Sequence, residues 1–300
     1  MPDIELHHLV AVPNFPGSFA LLADGVSPET AVIFVHGFAG DSSSTWSQFQ
    51  SLIDVYSSEF EWWQGYDTFF YKYPSISQPV AVNADDFLAF SRTVFPYPAI
   101  PIVTGVRGGP LKSPYRNLVL VGHSEGAVVI RRALVEAYKI MRETTAQMPF
   151  PDDLDAIEAF YSVHPLFAAT TILFGPAYLG FSGAGWIQVL LHFPKISGIF
   201  QSLLSLSVAY VELQKESPVL RQLKDDTEDI VATYPYLEAF KAFSIFGKKD
   251  RIVYIGEYMR DHAIKLVDDH NHISVCKPTN RYKDPLRDVR YATKRKASRV

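Results

Sequence analysis

Two hydrophobic patterns take turns along this chain. Short apolar runs stop at Gly, Pro or His, and other stretches space their apolar residues three and four apart. Residues 19–24 (FALLAD) read as a short strand ending at Asp24-Gly25. Residues 30–40 (TAVIFVHGFAG) hold a continuous apolar run, the signature of a strand buried on both faces. Further strands are expected at 67–74, 117–122, 170–180, 243–250 and 262–267. Between them, residues 82–95 carry Phe87, Leu88, Phe90, Val94 and Phe95 at helical spacing. Residues 125–141 do the same with Ala127, Ile130, Leu134, Ala137 and Met141. The Pro- and Gly-rich stretch after Phe95 has no clear period and reads as a loop. Strands alternating with helices predict an α/β architecture with a mostly parallel sheet.

One segment breaks the alternation. From Ala159 to Val211 there is no Asp or Glu, and Lys195 is its one Lys or Arg. Residues 186–193 and 196–213 read as two helices separated by Pro194. The second has apolar residues at Ile196, Ile199, Phe200, Leu203, Leu204, Val208 and Val211, with polar residues opposite, and is short for a membrane span. An apolar cap or lid, inserted at about 176–238 into a single domain covering 1–300, is the expectation.

Composition narrows the class. Among 300 residues, 48% are apolar, enough for one large core. A net charge of -4 argues against a nucleic-acid-binding surface over the body of the protein. The last twenty residues carry eight Lys or Arg against two Asp, which suits a solvated helix end and tail. With Cys276 as the one cysteine, an intramolecular disulfide is impossible. The N-terminus lacks the basic and apolar regions of a secretory signal, so a cytoplasmic location is expected.

Candidate chemistry sits where a run ends. Gly122-His123-Ser124-Glu125-Gly126 closes the 117–122 strand and opens the 125–141 helix. Gly-x-Ser-x-Gly at a strand-to-helix junction is a nucleophile elbow: the chain reverses so sharply that side chains two residues either side would collide. A serine hydroxyl is a weak nucleophile and needs a base, itself oriented by a carboxylate. The expected order along the chain is Ser, acid, His. His270 and His272 lie just beyond the last strand, where a base must sit to face Ser124, and His272 is preferred. The turn 174–181 lies inside the carboxylate-free stretch, so the acid falls to the next strand end, at Asp250. Asp268 and Asp269 are rivals that read better as turn residues. The backbone N–H groups of Phe38 and Glu125 are the expected oxyanion donors. Residues 268–272 (DDHNH) match no metallohydrolase spacing, and Walker A, HExxH and dinucleotide GxGxxG patterns are absent.

Taken together, VIFVHGFAG, LVLVGHSEGAVVIRRAL, ILFGPAYLG, SIFGKKDRIV and NHISVCKP resemble the α/β-hydrolase superfamily of serine esterases and lipases. The last three are similar to its lipase-like deacylase and serine-active-site-containing branch, with Tyr178 where others often carry His or Thr. The Cys-Lys-Pro stretch after the histidine favours His272 within that branch. The resemblance implies an α/β-hydrolase fold and a Ser124-His272-Asp250 triad. It also implies no cofactor, no metal, and a substrate among esters, lipids or amides. The apolar insert suits an acyl chain or peripheral contact with a membrane. Amidase, thioesterase or transacylase chemistry and a non-catalytic binding module are the alternatives, and oligomeric state is open.

Overall fold

Among the described residues, the apolar runs expected as strands form strands, and these join one sheet. The computed structural model describes residues 7–23, 28–53, 62–63, 65–145, 165–182, 207–258 and 261–297. Eight strands run in the order β1-β2-β4-β3-β5-β6-β7-β8. They are β1 (His7–Ala11), β2 (Phe19–Ala23), β3 (Thr30–Val35), β4 (Tyr66–Tyr71), β5 (Asn117–His123), β6 (Ala169–Phe174), β7 (Phe243–Gly247) and β8 (Lys265–Val267). β2 pairs antiparallel with β1 and β4, and every other pairing is parallel. All six residues of β3 are buried, because a central parallel strand is covered on both faces.

Helices cover those faces. On one side lie α2 (Val80–Val94), α4 (Glu125–Thr145) and α6 (Pro218–Thr233), packed over Ile33, Leu118, Leu120 and Leu173. On the other, α1 (Ser47–Ile53) and α7 (Asp284–Ala297) enclose Val32, Phe34, Val119 and Val121 with Trp46, Phe49, Leu286 and Val289. The basic C-terminal segment is therefore a helix with a buried stripe. Each fully buried aliphatic or aromatic side chain of this kind contributes roughly 1.5–3 kcal/mol.

The structure departs from the hydrophobic pattern in several places. The stretch after Phe95 holds a helix, α3 (Ile100–Arg107), and not only loop. Its signals are Pro101 in the first turn and Gly108 at the C-terminus with φ of 68°. Its Arg107 pairs with buried Asp67 at 2.6 Å, and Tyr115 also bonds Asp67, an attachment no periodicity reveals. β1 and α1 have no counterpart among the expected elements. The strands expected at 170–180 and 243–250 end at Phe174 and Gly247, and the strand expected at 262–267 covers only Lys265–Val267. Within the helix expected over 196–213, Ser207 has an extended backbone and its hydroxyl accepts the Tyr210 N–H. Ser207 thereby caps a helix that starts at the next residue, α5 (Val208–Glu212). The helix expected over 186–193, and residues 196–206, lie outside the described residues.

α5 and α6 both fall between β6 and β7, the interval in which the cap is expected. α6 is tied to α4 by Lys139, which pairs with Asp226 at 2.9 Å. Among the described residues, no helix is long and apolar enough to cross a membrane.

Candidate active site

Parallel pairing brings several strand ends to one edge. Val35 of β3 lies beside Gly122 of β5, and His123 lies beside Phe174 of β6. The residues just beyond these strands therefore meet at the carboxyl edge, where ligands of open α/β sheets bind.

Ser124 joins β5 directly to α4, with φ of 54°. For a non-glycine residue this left-handed backbone costs about 1–3 kcal/mol and persists only where its surroundings impose it. The imposition is visible. Ser124 N–H donates to Phe174 O at 3.0 Å, and Ser124 O accepts from the N–H groups of Ala127 and Ala177. Gly126 admits β3 into the turn: a Cβ there would stand 2.4 Å from the carbonyl oxygens of both Val35 and His36. No side chain fits.

His272 is 3% exposed and its Nδ1 lies 2.9 Å from Asp250 Oδ2. The other Asp250 oxygen accepts N–H bonds from Ile252 and Val253. Burial opposes ionisation of Asp250, but the His272 contact and these two amides outweigh it and hold its carboxyl below the ordinary value. Gly175, with φ of 52°, closes over the pair, and a Cβ on it would stand 2.8 Å from His272 Nδ1.

Ser124 and His272 line one cavity of about 160 Å³, together with Gly37, Phe38, Ser44, Thr45, His123, Cys276 and Lys277. No hydrogen bond joins Ser124 Oγ to His272 among the described contacts. Such bonds are often long without substrate and shorten in the Michaelis complex. Phe38 sits on the loop after β3, pressed against the elbow: a Cβ on Gly37 would lie 2.8 Å from Ser124 Cβ. Glu125 is the first residue of α4, so its N–H has no partner within the helix.

The remaining candidates diverge from the serine. Asp268 pairs with Lys248 and Asp269 with Lys249, each at 2.7 Å, on exposed turns. His270 stacks on Tyr282 with ring centres 3.8 Å apart. The side chains of 268–272 thus point to different partners, and no metal-sized group of His, Cys, Asp and Glu forms among the described residues.

This strand order, with a serine at a strained turn between β5 and α4, decides the architecture. The chain has the α/β-hydrolase fold. No protein-family model and no curated protein matches its sequence. Among solved structures, it is similar to an α/β-hydrolase enzyme, MGS-MChE2, from a sediment metagenome of the Mar Chica lagoon in Morocco. The identity is 17% and the TM-score 0.49, over 96% of this chain and 99% of that one. It is also similar to carboxylesterase CesB (YbfK) from Bacillus subtilis, at 12% identity and TM-score 0.46 over 96% and 91%. Naproxen esterase from the same species aligns at 11% identity and TM-score 0.46 over 97% and 92%.

Three residues around the site get no role of their own from the sequence, because what they do there is purely spatial. His123 Nε2 donates to the His272 carbonyl at 2.9 Å, linking the Ser124 turn to the loop that carries His272. Burial, reinforced by the neighbouring His272, lowers its pKa to about 3, so it stays neutral. His36 Nδ1 donates to Gly37 O, and its Nε2 accepts from the Tyr73 N–H. Burial lowers its pKa to about 4. Cys276 lines the cavity, but burial pushes its thiol up to about 12, which makes it a wall and not a nucleophile.

Proposed function

We propose that this protein is a serine hydrolase acting on carboxylic esters. The observation that carries the reading is the His272–Asp250 contact of 2.9 Å beside a strained serine on the same cavity. In this reading Ser124 attacks the acyl carbon while His272 takes its proton. Asp250 holds the imidazole in the tautomer with hydrogen on Nδ1, leaving Nε2 as the base. The negative charge that develops on the acyl oxygen is met by the N–H groups of Phe38 and Glu125. One such donor is worth about 3–4 kcal/mol of barrier. His272 then returns its proton to the leaving alcohol. Water, activated by the same imidazole, releases the acyl group from Ser124. No step calls for a cofactor.

The cavity beside Ser124 has room for a small acyl group. Short-chain esters are therefore the first substrates to test. Turnover of 4-nitrophenyl esters by the wild type and by Ser124→Ala tests the assignment, with an expected loss of about a million-fold in kcat. Fluorophosphonate labelling of the wild type alone is the companion result. Equal rates, or labelling of both, reject Ser124 as nucleophile. A series from acetyl to palmitoyl esters should peak at the short end, and a steady rise toward palmitoyl would instead indicate a lipase.

A further inference from the structure

The cavity beside Ser124 has a charge that ester hydrolysis does not use. Lys277 lines it together with Ser124, His272 and Thr45. The backbone places this lysine firmly: His272 opens the turn, and the Lys277 N–H donates to Ser274 O at 3.1 Å. Pro278 comes next and is buried. The Lys277 ammonium pairs with no carboxylate among the described residues, although most other lysines near acids do pair, Lys248, Lys249 and Lys265 among them.

Among the described residues, no Asp or Glu lines the space. The acids adjoining its lining residues are already engaged. Asp250 is behind His272, bonded to that ring and to two amides. Asp41 accepts from the amides and hydroxyls of Ser43 and Ser44. Lys277 shares the cavity wall with His123 and Cys276. A half-buried cation without a partner loses part of its hydration and gains nothing in return, unless the ligand supplies the counter-charge.

We infer that Lys277 selects esters carrying an anionic group, a carboxylate or a phosphate, close to the scissile carbonyl. This rests on the ester-hydrolase reading and narrows its substrate class. The apolar part of the cavity, Phe38, Ile273 and Cys276, receives the uncharged portion, and Lys277 with the Thr45 hydroxyl receives the anion. Lysine suits a compact anion because it acts as a point charge with freely turning donors.

The test compares an uncharged ester with an anionic analogue of it, and the Lys277 variants isolate the part due to charge. One pair is 4-nitrophenyl butyrate and the 4-nitrophenyl monoester of succinic acid, each corrected for spontaneous hydrolysis. The other is 1-butyrylglycerol and its 3-phosphate. The wild type should favour the anionic member in kcat/KM by about tenfold or more, the scale of one charge-assisted hydrogen bond. The first pair reports a carboxylate on the acyl side, the second a phosphate on the alcohol side. The ratio should collapse toward unity in Lys277→Met, invert in Lys277→Glu and survive in Lys277→Arg. The arginine variant distinguishes lost charge from lost folding. A wild-type ratio near or below unity in both pairs, or one that Lys277→Met leaves intact, overturns the inference. Failure of every ester, with no fluorophosphonate labelling, would instead reject the hydrolase reading.

Discussion

At the scale of single residues, the site depends on positions where one added atom has nowhere to go. Gly175 is the sharpest case. Its backbone is left-handed and a Cβ would press on His272 Nδ1 at 2.8 Å. Gly175→Ala should therefore push the clash onto His272, the proposed base: a loss of about a hundredfold in kcat, the cost of a 1 Å misplacement, with a smaller fractional change in melting temperature. Steady-state kinetics alongside thermal unfolding separates the two. Asp250→Asn keeps the shape but reverses the hydrogen bond, favouring the wrong imidazole tautomer, and kcat should fall about ten-thousandfold. Sequence spacing brought Ser124, Asp250 and His272 forward because an elbow has a recognisable flank and the later strand ends are few. It could not bring forward His123, His36 or Lys277, whose meaning lies in neighbours far along the chain.

At the scale of elements, the turn after β6 is held from behind by α4. Arg131 is 1% exposed there. Its Nε donates to the Tyr178 hydroxyl at 3.2 Å, its Nη1 donates to the Phe240 carbonyl, and its Nη2 pairs with Asp261 at 2.6 Å. The same turn carries Gly175 against His272 and Ala177 on the Ser124 carbonyl, so α4 braces both ends of the candidate site. Arg131→Met leaves the Asp261 carboxyl buried and unpaired, and should cost about 3–5 kcal/mol in urea unfolding. Adding Asp261→Asn should recover part of that loss, giving a coupling energy that independent sites would not show. In the sequence, Arg131 reads as an ordinary charge on an amphipathic helix. Ser207 is the reverse case, since the pattern expected over 196–213 includes it in a helix but its side chain caps one that starts at Val208.

At the scale of the whole molecule, the fold buries ionisable groups of both kinds, and their pH responses oppose one another. Glu125 is fully buried, and neither carboxyl oxygen has a hydrogen-bond partner. Burial, with Glu212 nearby, raises its pKa well above the ordinary value. A raised carboxyl contributes stability below its unfolded pKa and loses it as pH climbs toward the folded one. Glu125→Gln removes that loss. The variant should gain on the wild type by about 1.4 kcal/mol per pH unit above roughly pH 4.5. His123 has the opposite sign, because a histidine held near 3 leaves the unfolded chain binding the extra proton below about pH 6.5. His123→Gln should therefore gain on the wild type as pH falls from about 6.5 to roughly 4. Urea titrations of the three proteins across roughly pH 4 to 8 check both slopes, and parallel curves would contradict them.

Local pattern decided which segments become strands and helices in the parallel part of the sheet, because burial on both faces demands unbroken apolar runs such as that of β3. It also decided the elbow, whose glycines answer to a crowding that the turn itself creates. Tertiary structure alone decided the antiparallel edge strand β1, α3 and its Asp67 anchor, the neutrality of His36 and His123, and the raised pKa of Glu125. It also decided the place of Lys277 on the cavity that Ser124 lines. Each of those depends on desolvation or on a partner many residues away, and neither quantity is written in the neighbouring letters of the chain.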